Sequence, residues 1–317
     1  LKDPNTAFLP PEDSKKFEED IKGEFGGIGA EIGIKNDQLV VISPLKGSPA
    51  EKTGIKSGDK IIKIDDAFTA GLSVSEAVKK IRGPIGTVVT LSILRGEWKD
   101  TKDFEITRQT INVPSLDWEI KDGIMVVKLY NFNEKAALSF YEPGVNALTN
   151  RVDGMVLDLR NNPGGYLEIA VHLAGWFLKK GEIVTSEHFR TGPDKVFRAN
   201  NNSSLSKLPM VVLVNGGSAS ASEILAGALH DNRGIPIVGE KSFGKGTVQE
   251  LQPLRDGSQL KITVANWVRP NGEVIDKKGI TPDHEVKFTE EDAKKGKDPQ
   301  MEKAVEVLRG EIIKKKD

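Results

Sequence analysis

Apolar residues along this chain fall into three kinds of pattern. Between Gly26 and Arg95 they form short runs separated by glycine turns, which predicts strands over residues 30–34, 39–42, 60–64 and 88–94. Within that stretch Val74, Ala77, Val78 and Ile81 recur at helical spacing, so residues 73–82 are expected as a helix. Ser73 and Glu76 stand three apart at its start, the spacing of a capping box. From Gly123 onward the pattern becomes strand–helix alternation. Residues 123–132, 155–159 and 210–214 are strands, the last two apolar on both faces. Helices are expected from after Phe132 to about Thr149, over 167–178, and from the small-residue turn after Val214 to near Asp231, with Pro143-Gly144 interrupting the first. Residues 235–238 and 260–267 should complete the sheet, and 300–316 form one amphipathic helix burying Met301, Ala304, Val305, Leu308 and Ile312. Residues 1–22 are polar, with a helix start at Pro11-Glu12-Asp13 followed by Phe17 and Ile21, and 96–115 form a polar connection.

These patterns give a mixed α/β chain whose core is built of βα units around a largely parallel sheet, with a separate unit of short strands and one main helix. The expected division is a strap segment at 1–22, the small unit at 23–108, the core at 109–288 and a C-terminal helix at 289–317.

Composition narrows the chemistry. With 45 Lys+Arg against 46 Asp+Glu the net charge is −1, which argues against nucleic-acid or polybasic membrane binding. There is no cysteine, so thiol nucleophiles and cysteine zinc sites are excluded, and four scattered histidines argue against a metal cluster. No apolar run is long enough to span a bilayer. The opening at Leu1, without a basic-then-apolar leader, is expected of a processed or trimmed terminus.

The segment Asn215-Gly216-Gly217-Ser218-Ala219-Ser220-Ala221-Ser222-Glu223 places serines on a tight turn between a buried strand and a helix. Such a turn exposes a hydroxyl and offers backbone N–H groups at the helix start. A serine-capped helix behind a glycine turn is the plainer alternative. His230 lies ten residues down the same helix, about 15 Å away, so it cannot serve as the base. Lys245, in Gly244-Lys245-Gly246-Thr247-Val248-Gln249, is a better candidate, because burial lowers a lysine pKa; the alternative is a solvated loop lysine. In an extended segment 245, 247 and 249 share a face, which would let Gln249 orient the amine. The loop Asp158-Leu159-Arg160-Asn161-Asn162-Pro163-Gly164-Gly165 either aims N–H groups into a cleft or is a plain strand-to-helix turn with Asp158 and Arg160 paired.

Ser-Ala-Ser-Ala-Ser-Glu-Ile, Phe-Gly-Lys-Gly-Thr-Val-Gln and the upstream Asp-Leu-Arg-Asn-Asn-Pro-Gly-Gly together closely resemble the carboxyl-terminal processing peptidases, or tail-specific proteases. The resemblance implies a crotonase-like peptidase core and a Ser–Lys site with Ser220 as nucleophile, Lys245 as base and Gln249 assisting. It places the oxyanion hole at the N–H groups of Gly165 and Ala221. No metal or cofactor is implied. Family members usually carry a signal or anchor and an N-terminal helical segment before the Asp3-Pro4-Asn5-Thr6 region, and neither is in this sequence. An extracytoplasmic bacterial location, in the periplasm or cell envelope or secreted, is implied by the resemblance alone.

The small unit resembles a PDZ domain. Gly27-Ile28-Gly29-Ala30 matches the loop that receives a chain-terminal carboxylate, and the next strand can pair with an extended peptide. Ile28 and Ile32 either pack in the core or line the pocket for the last side chain. Arg82 ends the helix, where it complements the dipole or, alternatively, couples tail binding to the core. The expected function is a serine endopeptidase that binds free apolar C-termini of proteins or peptides and cuts nearby. A homodimer is compatible with this. The alternatives are a catalytically idle PDZ adaptor on a peptidase-like core and, more remotely, an acyl-CoA enzyme.

Overall fold

The computed structural model describes residues 3–316 apart from 4, 5, 15–23, 36, 46, 97, 113, 151, 201 and 202. Residues 11–14 are helical, whereas Phe17 and Ile21 of the expected first helix lie outside the described residues. The chain divides into two compact units, Glu24–Val113 and a larger one made of Leu1–Gly23 with Pro114–Asp317.

In the smaller unit, Ala30–Lys35, Gln38–Pro44, Lys60–Ile64, Val88–Leu94 and Lys102–Thr107 form an antiparallel sheet in that order. Glu24–Gly27 pairs separately with Gln109–Asn112. The helix Val74–Ile81 starts with the capping box read from sequence: the Glu76 N–H donates to Ser73 Oγ at 3.3 Å, and the Ser73 N–H donates to Glu76 Oε2 at 2.9 Å. Ala77 and Ile81 are buried with Val41, Ile61, Val89, Leu91 and Ile93. The expected polar connection over 96–115 is corrected, because it contains two strands. Of the charged stretch Lys102–Thr107 only Ile106 is fully buried, so this edge strand looks like a loop in sequence.

The larger unit is built on a six-stranded sheet. Its order is Leu116–Lys121, Ile124–Leu129, Gly154–Asp158, Met210–Val214, Ile237–Gly239, His284–Glu285, antiparallel in the first pair and parallel thereafter. Alternate residues of the buried strands serve two cores. Met155, Leu157, Met210, Val212 and Val214 pack toward the helices Ala136–Thr149, Leu167–Phe177 and Ala221–Arg233. Val156, Val211 and Leu213 pack toward the helix Pro299–Lys316 through Ala304 and Leu308. Being covered on both faces, these strands carry no polar alternation.

Two expectations fail in this unit. Pro143 lies inside a continuous helix rather than interrupting it. Tertiary packing prevails there: a Cβ on Gly144 would stand 2.8 Å from Trp176, so the helices approach closely at that point. The strand over 260–267 does not complete the parallel sheet. Gln259–Val268 instead centres a second, antiparallel sheet, pairing with Thr247–Pro253, with Ile183–Phe189 and with the N-terminal strand Ala7–Leu9. Lys195–Arg198 adds to Ile183–Phe189 at its edge. Most of Gln259–Val268 is half-buried, unlike the wholly buried parallel strands.

Candidate active site

Strand Met210–Val214 delivers the chain into the small-residue turn, and the three serines there take different parts. Ser218 and Ser222 are fully buried and tie the turn to the neighbouring loop, donating to the carbonyls of Leu159 at 2.8 Å and Asn162 at 2.9 Å. Asn161 and Asn215 bond reciprocally: the Asn161 N–H donates to Asn215 Oδ1 at 2.8 Å, and Asn215 Nδ2 donates to Asn161 Oδ1 at 2.9 Å. Ser220 alone of the three lines the cleft. It caps the helix Ala221–Arg233 at φ 54°, ψ −115°. A positive φ in a residue with a Cβ is strained by about 1–3 kcal/mol, and it turns the hydroxyl outward at the end of a buried strand.

The Asp158–Gly165 loop closes against this turn. Gly164 has φ 99°, and a Cβ on it would meet the Ala219 carbonyl at 2.7 Å and Ser220 Cβ at 2.9 Å. Gly165, at φ 145°, lies equally close to Phe132. The N–H groups of Gly165 and of Ala221, the first helical residue, make no hydrogen bond among the described residues. Behind the loop, Asp158 and Arg160 do pair, at 2.7 Å, and Arg160 also forks onto Asp298 with two contacts of 2.9 Å. Asp298 in turn accepts the Met301 N–H at 3.0 Å, which anchors the start of the C-terminal helix to the loop.

Lys245 lines the same cleft of about 560 Å³. Burial, reinforced by the Lys261 charge and opposed by Glu223, holds its amine below the ordinary lysine range. Gly246 next to it is required, since a Cβ there would overlap the Asp276 backbone. Thr247 and Gln249 also line the cleft, but the Gln249 amide donates to Thr247 rather than to the lysine. Among the described residues no hydrogen bond joins Ser220 Oγ to Lys245 Nζ. His230 sits in the last helical turn with Asp231 and Asp283, away from Ser220.

Glu223 was missed in the sequence. Its fully buried carboxylate accepts the N–H of Ser220 at 2.9 Å, of Lys245 at 3.0 Å and of Gly244 at 2.7 Å, and the Ser242 hydroxyl at 2.5 Å. The available signal was Ser220-x-x-Glu223, the capping-box spacing. Lys261, Glu187 and Trp267, which complete the cleft wall, gave no local signal at all.

With this geometry in place, residues 123–286 match Peptidase family S41, and residues 17–94 match the PDZ domain. The chain belongs to peptidase family S41. Among curated relatives, the carboxy-terminal processing protease CtpA of Bacillus subtilis (strain 168) is 41% identical over 290 residues, covering 89% of this chain and 60% of the relative. The carboxy-terminal-processing protease of Bartonella bacilliformis is 38% identical over 321 residues, covering 99% of this chain and 73% of the relative. Among solved structures, a photosystem II D1 C-terminal processing protease superposes with a TM-score of 0.59 at 31% identity, covering 90% of this chain and 78% of that one. The chain therefore has the S41 fold with a PDZ domain, and it spans about 60% of the length of the Bacillus relative.

The PDZ groove is separate. Phe25, Gly27, Ile28, Gly29, Ala30, Ile32, Val78 and Arg82 line a cavity of about 380 Å³ in the smaller unit. Ile28 is buried in the core and also borders this cavity, and Ile32 is half-buried at the groove wall. Gly29 takes φ 71°, and a Cβ there would stand 2.5 Å from Ser48. Arg82 follows the helix end and stacks its guanidinium 3.7 Å over the Phe25 ring. Among the described residues no helix is long and apolar enough to cross a membrane.

Proposed function

We propose that this chain is a serine endopeptidase that captures a protein by its C-terminal tail and cuts it near that end. The observation that carries the reading is the shared cleft of Ser220 and Lys245, a strained serine at a helix start and an amine whose pKa burial lowers. Neutral Lys245 takes the Ser220 proton as Oγ attacks the scissile carbonyl. The tetrahedral oxyanion accepts the N–H groups of Gly165 and Ala221. Collapse transfers the proton from Lys245 to the leaving amine, and water activated by the same lysine hydrolyses the acyl-enzyme. Gln249 orients the lysine once its amide leaves Thr247, since catalytic hydrogen bonds tighten with substrate in place. The Gly27–Ala30 loop receives the free carboxylate of the tail, with Ile28 and Ile32 favouring an apolar last side chain. The likeness to bacterial relatives supports an extracytoplasmic location.

The test is incubation of an unfolded protein with the wild-type chain and with Ser220→Ala. Cleavage by the first alone is expected. Tail binding without cleavage by either would replace this reading with a PDZ adaptor.

A further inference from the structure

One carboxylate in the cleft has no part in the chemistry above. Glu187 lies on Ile183–Phe189, in register with Trp267 on one neighbouring strand and Lys195 on the other. Only 9% of the residue is exposed, and it lines the cleft together with Ser220 and Lys245. Among the described residues its carboxylate makes no hydrogen bond. Its ion pair with Lys195 is long, 3.9 Å, and that lysine side chain is 63% exposed. Burial pushes the Glu187 carboxyl up; Lys195 opposes this, and Glu168, on the same cleft wall, adds to it. A buried carboxylate so weakly compensated is unfavourable unless a positive group joins it.

The rest of the wall suits such a group. Trp267, 6% exposed, and Leu167 offer apolar surface for an alkyl stem beside the carboxylate. Lys261 lines the same cleft but is not among the charges acting on the Glu187 carboxyl. It is 267 − 261 = 6 residues from Trp267 along one strand, or about 20 Å at ~3.4 Å per residue.

We propose that Glu187 is the specificity-determining residue of this cleft and receives a lysine or arginine side chain of the substrate polypeptide, flanking the scissile bond. The inference rests on the peptidase reading and names the class of sequence it cuts. Arginine suits the carboxylate by a two-pronged bond and lysine by a single charge, so both are accepted.

The experiment is a positional scan with peptides of one fixed apolar tail. Lysine, arginine, norleucine or glutamate is placed at each of several positions on either side of the cut, and kcat/KM is measured. At one position the basic residues should exceed norleucine by about tenfold or more, as expected of a desolvated charge pair. Glu187→Gln should reduce that ratio to near one, and Glu187→Asp, which keeps the charge, should retain part of it. Equal rates for lysine and norleucine at every position, or a preference that survives Glu187→Gln, would overturn the inference and leave the peptidase reading standing. Failure of the wild-type chain to cleave any peptide would overturn both.

Discussion

The backbone N–H groups of Ser220 and Lys245 donate to the same oxygen, Oε2 of Glu223, at 2.9 and 3.0 Å. The Ser220 turn and the Lys245 loop, distant in sequence, are thus set against each other by one buried carboxylate. Its other oxygen holds Ser242 and Gly244, so four donors converge on it. Glu223→Gln presents an amide N–H₂ to some of those donors. The expected result is a loss of stability of about 1–3 kcal/mol, read by urea unfolding. A fall in kcat of a hundredfold or more should accompany it even at temperatures where the variant is fully folded.

With Lys245 as the proposed base, that residue should set the pH dependence. A base must be deprotonated to act, so kcat/KM should rise with pH through a limb lying below the ordinary lysine range near 10.4, because burial lowers this amine. Lys245→Arg should show no such limb and almost no turnover, since a guanidinium stays protonated.

The same burial predicts a stability effect of opposite sense. With its folded pKa depressed, Lys245 binds more protons in the unfolded chain, so it destabilises the fold below the folded pKa. That penalty disappears as pH rises to the unfolded value. Lys245→Met should therefore be inactive yet at least as stable as wild type near neutrality, with the difference shrinking toward pH ~10.4. Urea midpoints measured across that range test the sign; a variant less stable at pH 7 would contradict it.

Gly164 tests the contact between the Asp158–Gly165 loop and Ser220. A Cβ there would meet the Ala219 carbonyl at 2.7 Å and Ser220 Cβ at 2.9 Å, from a backbone at φ 99°. Gly164→Ala should destabilise the fold by roughly 1–3 kcal/mol and abolish most acylation, read as loss of labelling by a serine-directed probe.

Asp298 braces the same loop from behind through its two contacts with Arg160. Asp298→Ala leaves Arg160 paired with Asp158, so the fold should persist. The loop's aim should suffer: kcat falls several-fold while KM changes little. Asp298→Glu should recover part of the loss. An equal rise in KM without a change in kcat would argue against a role in positioning the oxyanion site.

Much of this architecture is legible in sequence, for definite reasons. Met210–Val214 is apolar on both faces because helices cover both, and Ser73 and Glu76 cap a helix by purely local bonds. What stays hidden depends on partners far along the chain. Lys102–Thr107 looks like a polar linker because a single edge-strand face is buried, and Pro143 is accommodated in a helix that is packed closely against Trp176. At the site, Ser220 and Lys245 are visible from their glycine- and alanine-rich surroundings. Glu223 has only a capping-box spacing from Ser220 to mark it, and Glu187 has no local signal. Their importance comes from burial, which spacing alone does not reveal.

The pairing of Ala7 with Lys261 spans 261 − 7 = 254 residues, and that strand also carries Trp267 of the cleft. At the pace of synthesis, about 5–20 residues per second, roughly 10–50 s separate the emergence of the two partners. The antiparallel sheet beside Ser220 and Lys245 consequently cannot close until residue 261 has been made. On the proposed mechanism, a nascent chain carries Ser220 without a finished cleft, so cutting waits until the strand Gln259–Val268 has been made and paired.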